Sequence, residues 1–269
     1  DHNFVIAGSS NSNNGDVSGN HGTYDAWVFK IDGNGNLLWQ KSVGGSGTDK
    51  AYNLSIGDDK SISVVGLTRS NNGDVSGLHI GSDSLDAWVF KLDSAGILQW
   101  QICLGGGAKD EGISIDATSD AGLIVAANTE SNDGDVSGNH GRSDIWIVKL
   151  NTVGSIVWQR CLGGNLKEYV GRVRKTADNG FIVAGMAESV NGDVNFQPDN
   201  VYAETADGWI IKMDAAGNLV WNRCYGEFLR EETLYDIIEL PSGEFITSGF
   251  AWLASFSTYG NPDDALVAQ

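Results

Sequence analysis

Asp16, Asp74 and Asp135 each stand inside the same five residues, Gly-Asp-Val-Ser-Gly. A second aspartate follows them after 9, 12 and 9 residues respectively: Asp25, Asp86 and Asp144. A divergent fourth copy pairs Asp193 with Asp207. Carboxylates, Asn and Ser oxygens, and a glycine that lets the chain bend sharply are what a hard cation such as calcium requires. Calcium is therefore the one candidate cofactor, with Asp16, Asp25, Asp74, Asp86, Asp135 and Asp144 as its ligands. The same residue types also build tight turns with no metal, because Asn and Asp side chains bond their own backbone. Both readings are open on the residues alone. The EF-hand pattern does not fit: with Gly134 as its glycine, Thr129 would open the loop and His140 would close it. His21, His79 and His140 recur in the same loop. Placed in separate repeat units they are too far apart to share a tetrahedral zinc, so they read as hydrogen-bonding partners of the turn.

Other chemistry is sparse. Asp49, Asp110, Glu168 and Glu232 recur at one position. They read as solvated loop acids, or as a rim around a channel mouth. No Gly-x-Ser-x-Gly elbow, His-Glu-x-x-His pair or phosphate loop occurs. Catalysis needs one asymmetric set of groups, so a site is expected where the repetition breaks: 195–206, 228–232 and 251–262. Trp252, Phe256 and Tyr259 in the last of these could form a sugar-stacking platform, or an ordered loop cover. Cys103, Cys161 and Cys224 occupy equivalent places in successive repeats. Such positions lie beyond disulfide reach, so three free, half-buried thiols are expected.

These residues must be held by a repeating frame. The tryptophans Trp39, Trp100, Trp158 and Trp221 are spaced by 61, 58 and 63 residues. The residues that close a short apolar run, Gly8, Gly66, Ala127, Gly185 and Gly249, are spaced by 58, 61, 58 and 64. Two landmarks with one period establish an internal repeat. Each period holds four strand signals, as in AYNLSI, ISVVG, DAWVFK and ILQWQICL, joined by turns such as DDKS and DSAG. No helix is expected. Four strands per unit predict an all-β β-propeller of four-stranded antiparallel blades, about five of them, the first and last incomplete. One domain over 1–269 is expected, with blades at about 1–45, 46–106, 107–164, 165–226 and 227–269. Since the chain starts and stops within a repeat, flanking sequence is expected. The two tryptophans of each repeat should fill the seams between blades, their indole N–H groups reaching hairpin carbonyls.

The formal net charge of −18 argues against a nucleic-acid partner, because phosphate binding needs clustered Lys and Arg. No apolar run is long enough for membrane insertion by a helix.

The stretch WVFKIDGNGNLLWQKSVGGSGTDKAYNLSIGDDKSISVVGLTRSNNGDVSG, Trp27 to Gly77, resembles the repeats of secreted and surface β-propellers of Bacteroidetes-type bacteria. The resemblance covers nearly the whole chain. A weaker one links Asp93, Gly96 and Trp100 to the docking motif of quinoprotein-type propellers, with a turn one residue tighter; it implies docking between blades and no quinone. The resemblance implies a secreted or cell-surface location. With the missing catalytic set, it leads to the expected function: a non-catalytic binding or adhesion module for a glycan or protein partner. A polysaccharide-active lyase or hydrolase and a structural scaffold in a surface assembly are the alternatives.

Overall fold

The computed structural model describes residues 3–81, 85–194, 205–226 and 230–251 in full, and 252–253 and 264–268 by backbone. Among the described residues there is no helix, and eighteen strands form five antiparallel sheets. The first sheet holds β1 (Phe4–Ser10), β2 (Asp25–Ile31) and β3 (Leu37–Val43). The second holds β4 (Asp49–Ile56), β5 (Ile62–Thr68), β6 (Asp86–Leu92) and β7 (Leu98–Leu104). The third holds β8 (Asp110–Ala117), β9 (Leu123–Thr129), β10 (Asp144–Leu150) and β11 (Ile156–Leu162). The fourth holds β12 (Glu168–Lys175), β13 (Phe181–Ala187), β14 (Asp207–Met213) and β15 (Leu219–Tyr225). The fifth holds β16 (Arg230–Glu239), β17 (Phe245–Leu253) and β18 (Asp264–Ala268). Each sheet is a meander in chain order, and successive sheets pack face to face with β4, β8, β12 and β16 against one another. This is a β-propeller with those four strands innermost.

Strands buried on both faces do not alternate polar and apolar residues. Those of β6, β10 and β14 are buried nearly end to end, because a neighbouring blade covers each side. Trp88, Trp146 and Trp209 are fully buried. Each fills a seam with the preceding blade: Trp88 joins Ala26, Val28 and Val43, and Trp146 joins Val65, Ala87 and Val89. The second tryptophan reaches forward instead. Trp39 and Trp100 lie over Gly96 and Gly154, the left-handed residues of the next blade's third turn (φ 82° and 84°). A Cβ there would come within 3.0 Å of the ring, so glycine is required for both reasons.

The inner strands carry β-bulges, between Ala51 and Asn53, Gly112 and Ser114, Val170 and Arg172, and Leu234 and Asp236. A bulge frees backbone N–H groups, and the preceding blade supplies acceptors for them. Ile115 N donates to Asn53 Oδ1 (3.2 Å), and Val173 N to Ser114 Oγ (3.1 Å).

Candidate functional site

In the second and third copies every letter of Gly-Asp-Val-Ser-Gly has a partner, down to the last glycine, whose N–H donates to Asn71 or Asn132, and the partners are elements of the fold. Gly73, Gly134 and Gly192 are left-handed (φ 64° to 68°), and a Cβ on them would strike a carbonyl of the preceding blade at 2.3–2.6 Å. The aspartate then docks on that blade. Asp135 N donates to Gly105 O (2.8 Å), and its Oδ2 faces Gly105 N (3.4 Å). Asp74 with Gly44, and Asp193 with Gly163, repeat this pair. Val75, Val136 and Val194 are buried. The serine closes a chain that starts at the seam tryptophan: Trp146 Nε1 donates to Gln159 Oε1 (2.8 Å), and Gln159 Nε2 donates to Ser137 Oγ (2.5 Å). The second blade runs the same relay through Trp88, Gln101 and Ser76. The indole N–H groups of the third-strand tryptophans thus meet a side chain of the fourth strand, not the expected hairpin carbonyl, and that of Trp39 is buried without a hydrogen-bond partner. The glutamine is the diagonal neighbour of the third-strand tryptophan on the same face of the ladder, two residues from the cysteine directly opposite, and needs no turn to reach it.

The recurrent acids at the start of the inner strands are neither solvated nor a rim. Asp49, Asp110 and Glu168 are fully buried. Asp110 accepts from Thr129 Oγ1, from Ser131 Oγ (2.7 Å) and from Gly106 N (2.8 Å). Asp49 accepts from Thr68, Ser70 and Gly45 in the same way. Burial pushes the Asp110 and Glu168 carboxyls up, and these hydrogen bonds only partly oppose it.

Asp25, Asp86 and Asp144 are buried beside them. Each accepts twice from a loop histidine through Oδ2. For Asp86 the donors are His79 N (2.9 Å) and the His79 ring at Nδ1 (2.8 Å), so the histidines serve the turn as expected. The His79 Nε2 lies 3.7 Å from Asp135 of the next blade. The other oxygen of Asp25, Asp86 and Asp144, Oδ1, is buried without a hydrogen-bond partner. The six sequence-predicted calcium residues therefore divide differently from their spacing. Asp74 is carried to the Gly44 loop that follows β3 of the first blade, and Asp135 to the loop after β7. Asp16 is exposed and accepts no hydrogen bond among the described residues. As they stand, no three His, Cys, Asp or Glu side chains among the described residues are grouped to hold a metal ion.

Cys103, Cys161 and Cys224 are free, and they are buried rather than half-buried. Burial pushes each thiol up to about 12, which makes them inert packing groups. Of the proposed stacking platform, Trp252 is seen by backbone alone, paired with Glu231. Its side chain, Phe256 and Tyr259 lie outside the described residues.

Two cavities are present, and no described residue of 195–206, 228–232 or 251–262, the stretches where a site was expected, lines either of them. One, of about 480 Å³, is mostly apolar and lies between the fourth and fifth blades, against Ile210, Trp221, Tyr225 and Phe245. In the fifth blade the residue opposite Gly249 is Leu266, where the fourth blade sets Trp209 opposite Gly185. The other, of about 370 Å³, is polar and lies at one end of the inner strands of the second to fourth blades, against Ser55, Asp59, Lys91, Asp116 and Lys175. Sequence reasoning missed these residues. The signal was present: Ser61 stands where the next two repeats have Gly122 and Gly180, and β12 has a basic run, Arg172, Arg174 and Lys175, that no other inner strand shares.

No protein-family model matches the chain, and no curated protein matches it. Among solved structures, a protein of unknown function from Bacteroides caccae aligns over 92% of this chain and 70% of its own, at 9% identity and a TM-score of 0.49. The WD40 domain of Pan2 from Neurospora crassa aligns over 87% of this chain and 70% of its own, at 11% identity and a TM-score of 0.44. A mannose phosphorylase from Leishmania mexicana aligns over 91% and 74%, at 9% identity and a TM-score of 0.42.

Proposed function

We propose that this chain is a non-catalytic binding or adhesion module of a secreted or cell-surface protein, with a glycan or protein partner. One observation carries the reading. The residues that repeat, including the recurrent buried acids, join blade to blade, while each cavity combines recurring residues such as Trp221 or Lys91 with residues that depart from the other copies, Tyr225 and Glu244 in one and Ser61 and Lys175 in the other. A rigid frame with individual surfaces is what a recognition module needs. The location rests on the likeness of the Trp27–Gly77 stretch to Bacteroidetes-type surface repeats. Retention of a glycan class on an array, with the glycan recovered intact, is the expected result. New reducing ends or unsaturated sugar products would favour the lyase or hydrolase. Recovery only in a large protein assembly, with no glycan retained, would favour the scaffold.

Calcium has one observation in its favour, the unpartnered buried Oδ1 of Asp25, Asp86 and Asp144. An ion that binds the folded chain raises its melting temperature with concentration. Identical melting in calcium and in chelator, with no metal by elemental analysis, would end that reading.

A further inference from the structure

Three blades place a lysine near the end of the third strand, facing the aspartate of the first turn: Lys91 with Asp59, Lys149 with Asp120, and Lys212 with Asp178. In the third blade the Lys149 Nζ donates to both Asp120 oxygens (3.0 Å each) and to Leu150 O (3.1 Å). In the fourth, Lys212 Nζ donates to Asp178 (3.1 and 2.8 Å) and to Met213 O (3.2 Å). Both ammonium groups are clamped. In the second blade the clamp is open. Lys91 Nζ has one contact with Asp59 Oδ2, at 3.6 Å, beyond hydrogen-bond distance.

The cause is steric. A Cβ on Gly122 would lie 2.4 Å from Lys149 Nζ, and one on Gly180 would lie 2.5 Å from Lys212 Nζ. The second blade carries Ser61 at that position. Its hydroxyl donates to Asp59 Oδ1 at 2.5 Å, and its N–H donates to the same oxygen at 3.0 Å. Ser61 therefore takes the space that the lysine uses elsewhere, and its hydroxyl replaces the one that Thr118 and Thr176 give the same aspartate oxygen in the clamped blades, where the second blade has Gly57. The Lys91 ammonium is left to line the polar cavity of about 370 Å³. Lys175 lines the same cavity, and its ammonium forms no ion pair with a described residue, whereas Arg172 and Arg174 are bound by Asp236.

The lining mixes two ammonium donors, the carboxylates Asp58, Asp59 and Asp116, and several hydroxyls. Three carboxylates repel a polyanion, and the charged groups set among the apolar ones disfavour a wholly hydrophobic ligand. Vicinal hydroxyls, each able to donate to a carboxylate and accept from an ammonium, suit this set. We propose that this cavity, opened by Ser61, binds a neutral saccharide, with Lys91 and Lys175 as hydrogen-bond donors. The proposal rests on the reading of the chain as a glycan-binding module and gives it a place.

The test uses the full chain on an array of neutral oligosaccharides, followed by calorimetric titration with the glycan best retained. Ser61→Gly should let Lys91 fall onto Asp59. It should weaken binding by about tenfold, the loss of one charge-assisted hydrogen bond, without lowering the melting temperature. Lys175→Ala should weaken binding to a similar extent by a separate route. If both variants bind as tightly as the parent, this cavity is overturned and the binding-module reading stands. If the parent retains no neutral glycan, the cavity and the glycan reading fall together, and a protein partner remains.

Discussion

The first and third blades share one sequence pattern and differ in what lies against it. Trp146 is fully buried in the seam with the second blade. Trp27, on the same position of the same strand, is half-buried, stacks on Phe29 at 4.2 Å and belongs to none of the buried clusters. Asp135 is docked on the Gly105 loop, while Asp16 is exposed. Each keeps its local bonds: Trp27 still donates to Gln40 as Trp146 does to Gln159. The contrast separates two kinds of interaction. The relay from indole to glutamine to serine is internal to a blade. Burial of the indole ring and docking of the aspartate are gifts of a neighbouring sheet, so the repeat unit is half of an interface.

Removing the tryptophans should break this contrast most visibly. Trp146→Ala should cost about 4 kcal/mol of unfolding free energy in denaturant, the usual range for emptying a large buried site. Trp27→Ala should cost roughly half as much or less, since half-buried area returns less on burial. Equal losses would mean that the seam does not provide the burial energy. The acids come next. Asp110→Ala leaves the Thr129 and Ser131 hydroxyls and the Gly106 N–H without their acceptor, at a cost of about 3 kcal/mol. Asp16→Ala should stay within about 0.5 kcal/mol. A large effect at Asp16 would show that this aspartate has a partner the described residues do not contain.

The smallest effect concerns pH at the second junction. Partial burial pulls the His79 imidazole down, but the hydrogen bond to Asp86 and the charges of Asp86, Asp135 and Asp110 outweigh it and hold it above its ordinary 6.5. A group raised on folding contributes its full stability below the unfolded value and loses it as pH climbs through the folded one. The melting temperature should therefore decline as pH rises from 6.5, and His79→Gln should remove that part of the slope. An identical slope in the variant would sink the assignment.

Much of the frame was legible. The tryptophan and glycine periods placed the strands, and the turns fell at the Gly-rich joints because few other residues accept left-handed backbone. The acids misled in an instructive way. Asp49, Asp110 and Glu168 look solvated, being charged and next to glycine-rich loops. Their true partners, Thr68 with Ser70, Thr129 with Ser131, and Ser189, lie about 20 residues away, and only strand pairing delivers them. Likewise the spacing of Asp74 to Asp86 suggests a shared loop site, but the turn sends Asp74 across the seam to Gly44. Lys91 was hidden for the converse reason. A serine in place of a glycine in a turn looks neutral until Lys149 and Lys212 are seen in the space it fills.

Residue order alone determined the period, the strand class, the turn positions and the pairing of a tryptophan with each of two strands, because alternation, β-branching and glycine conformations act over a few residues. Only the assembled sheets decided which acids are buried, which aspartates face one another across a seam and which lysine is held by a single long ion pair. Those outcomes depend on groups from different blades meeting in low dielectric, where an unmet hydrogen bond or a missing ångström of space outweighs any local preference.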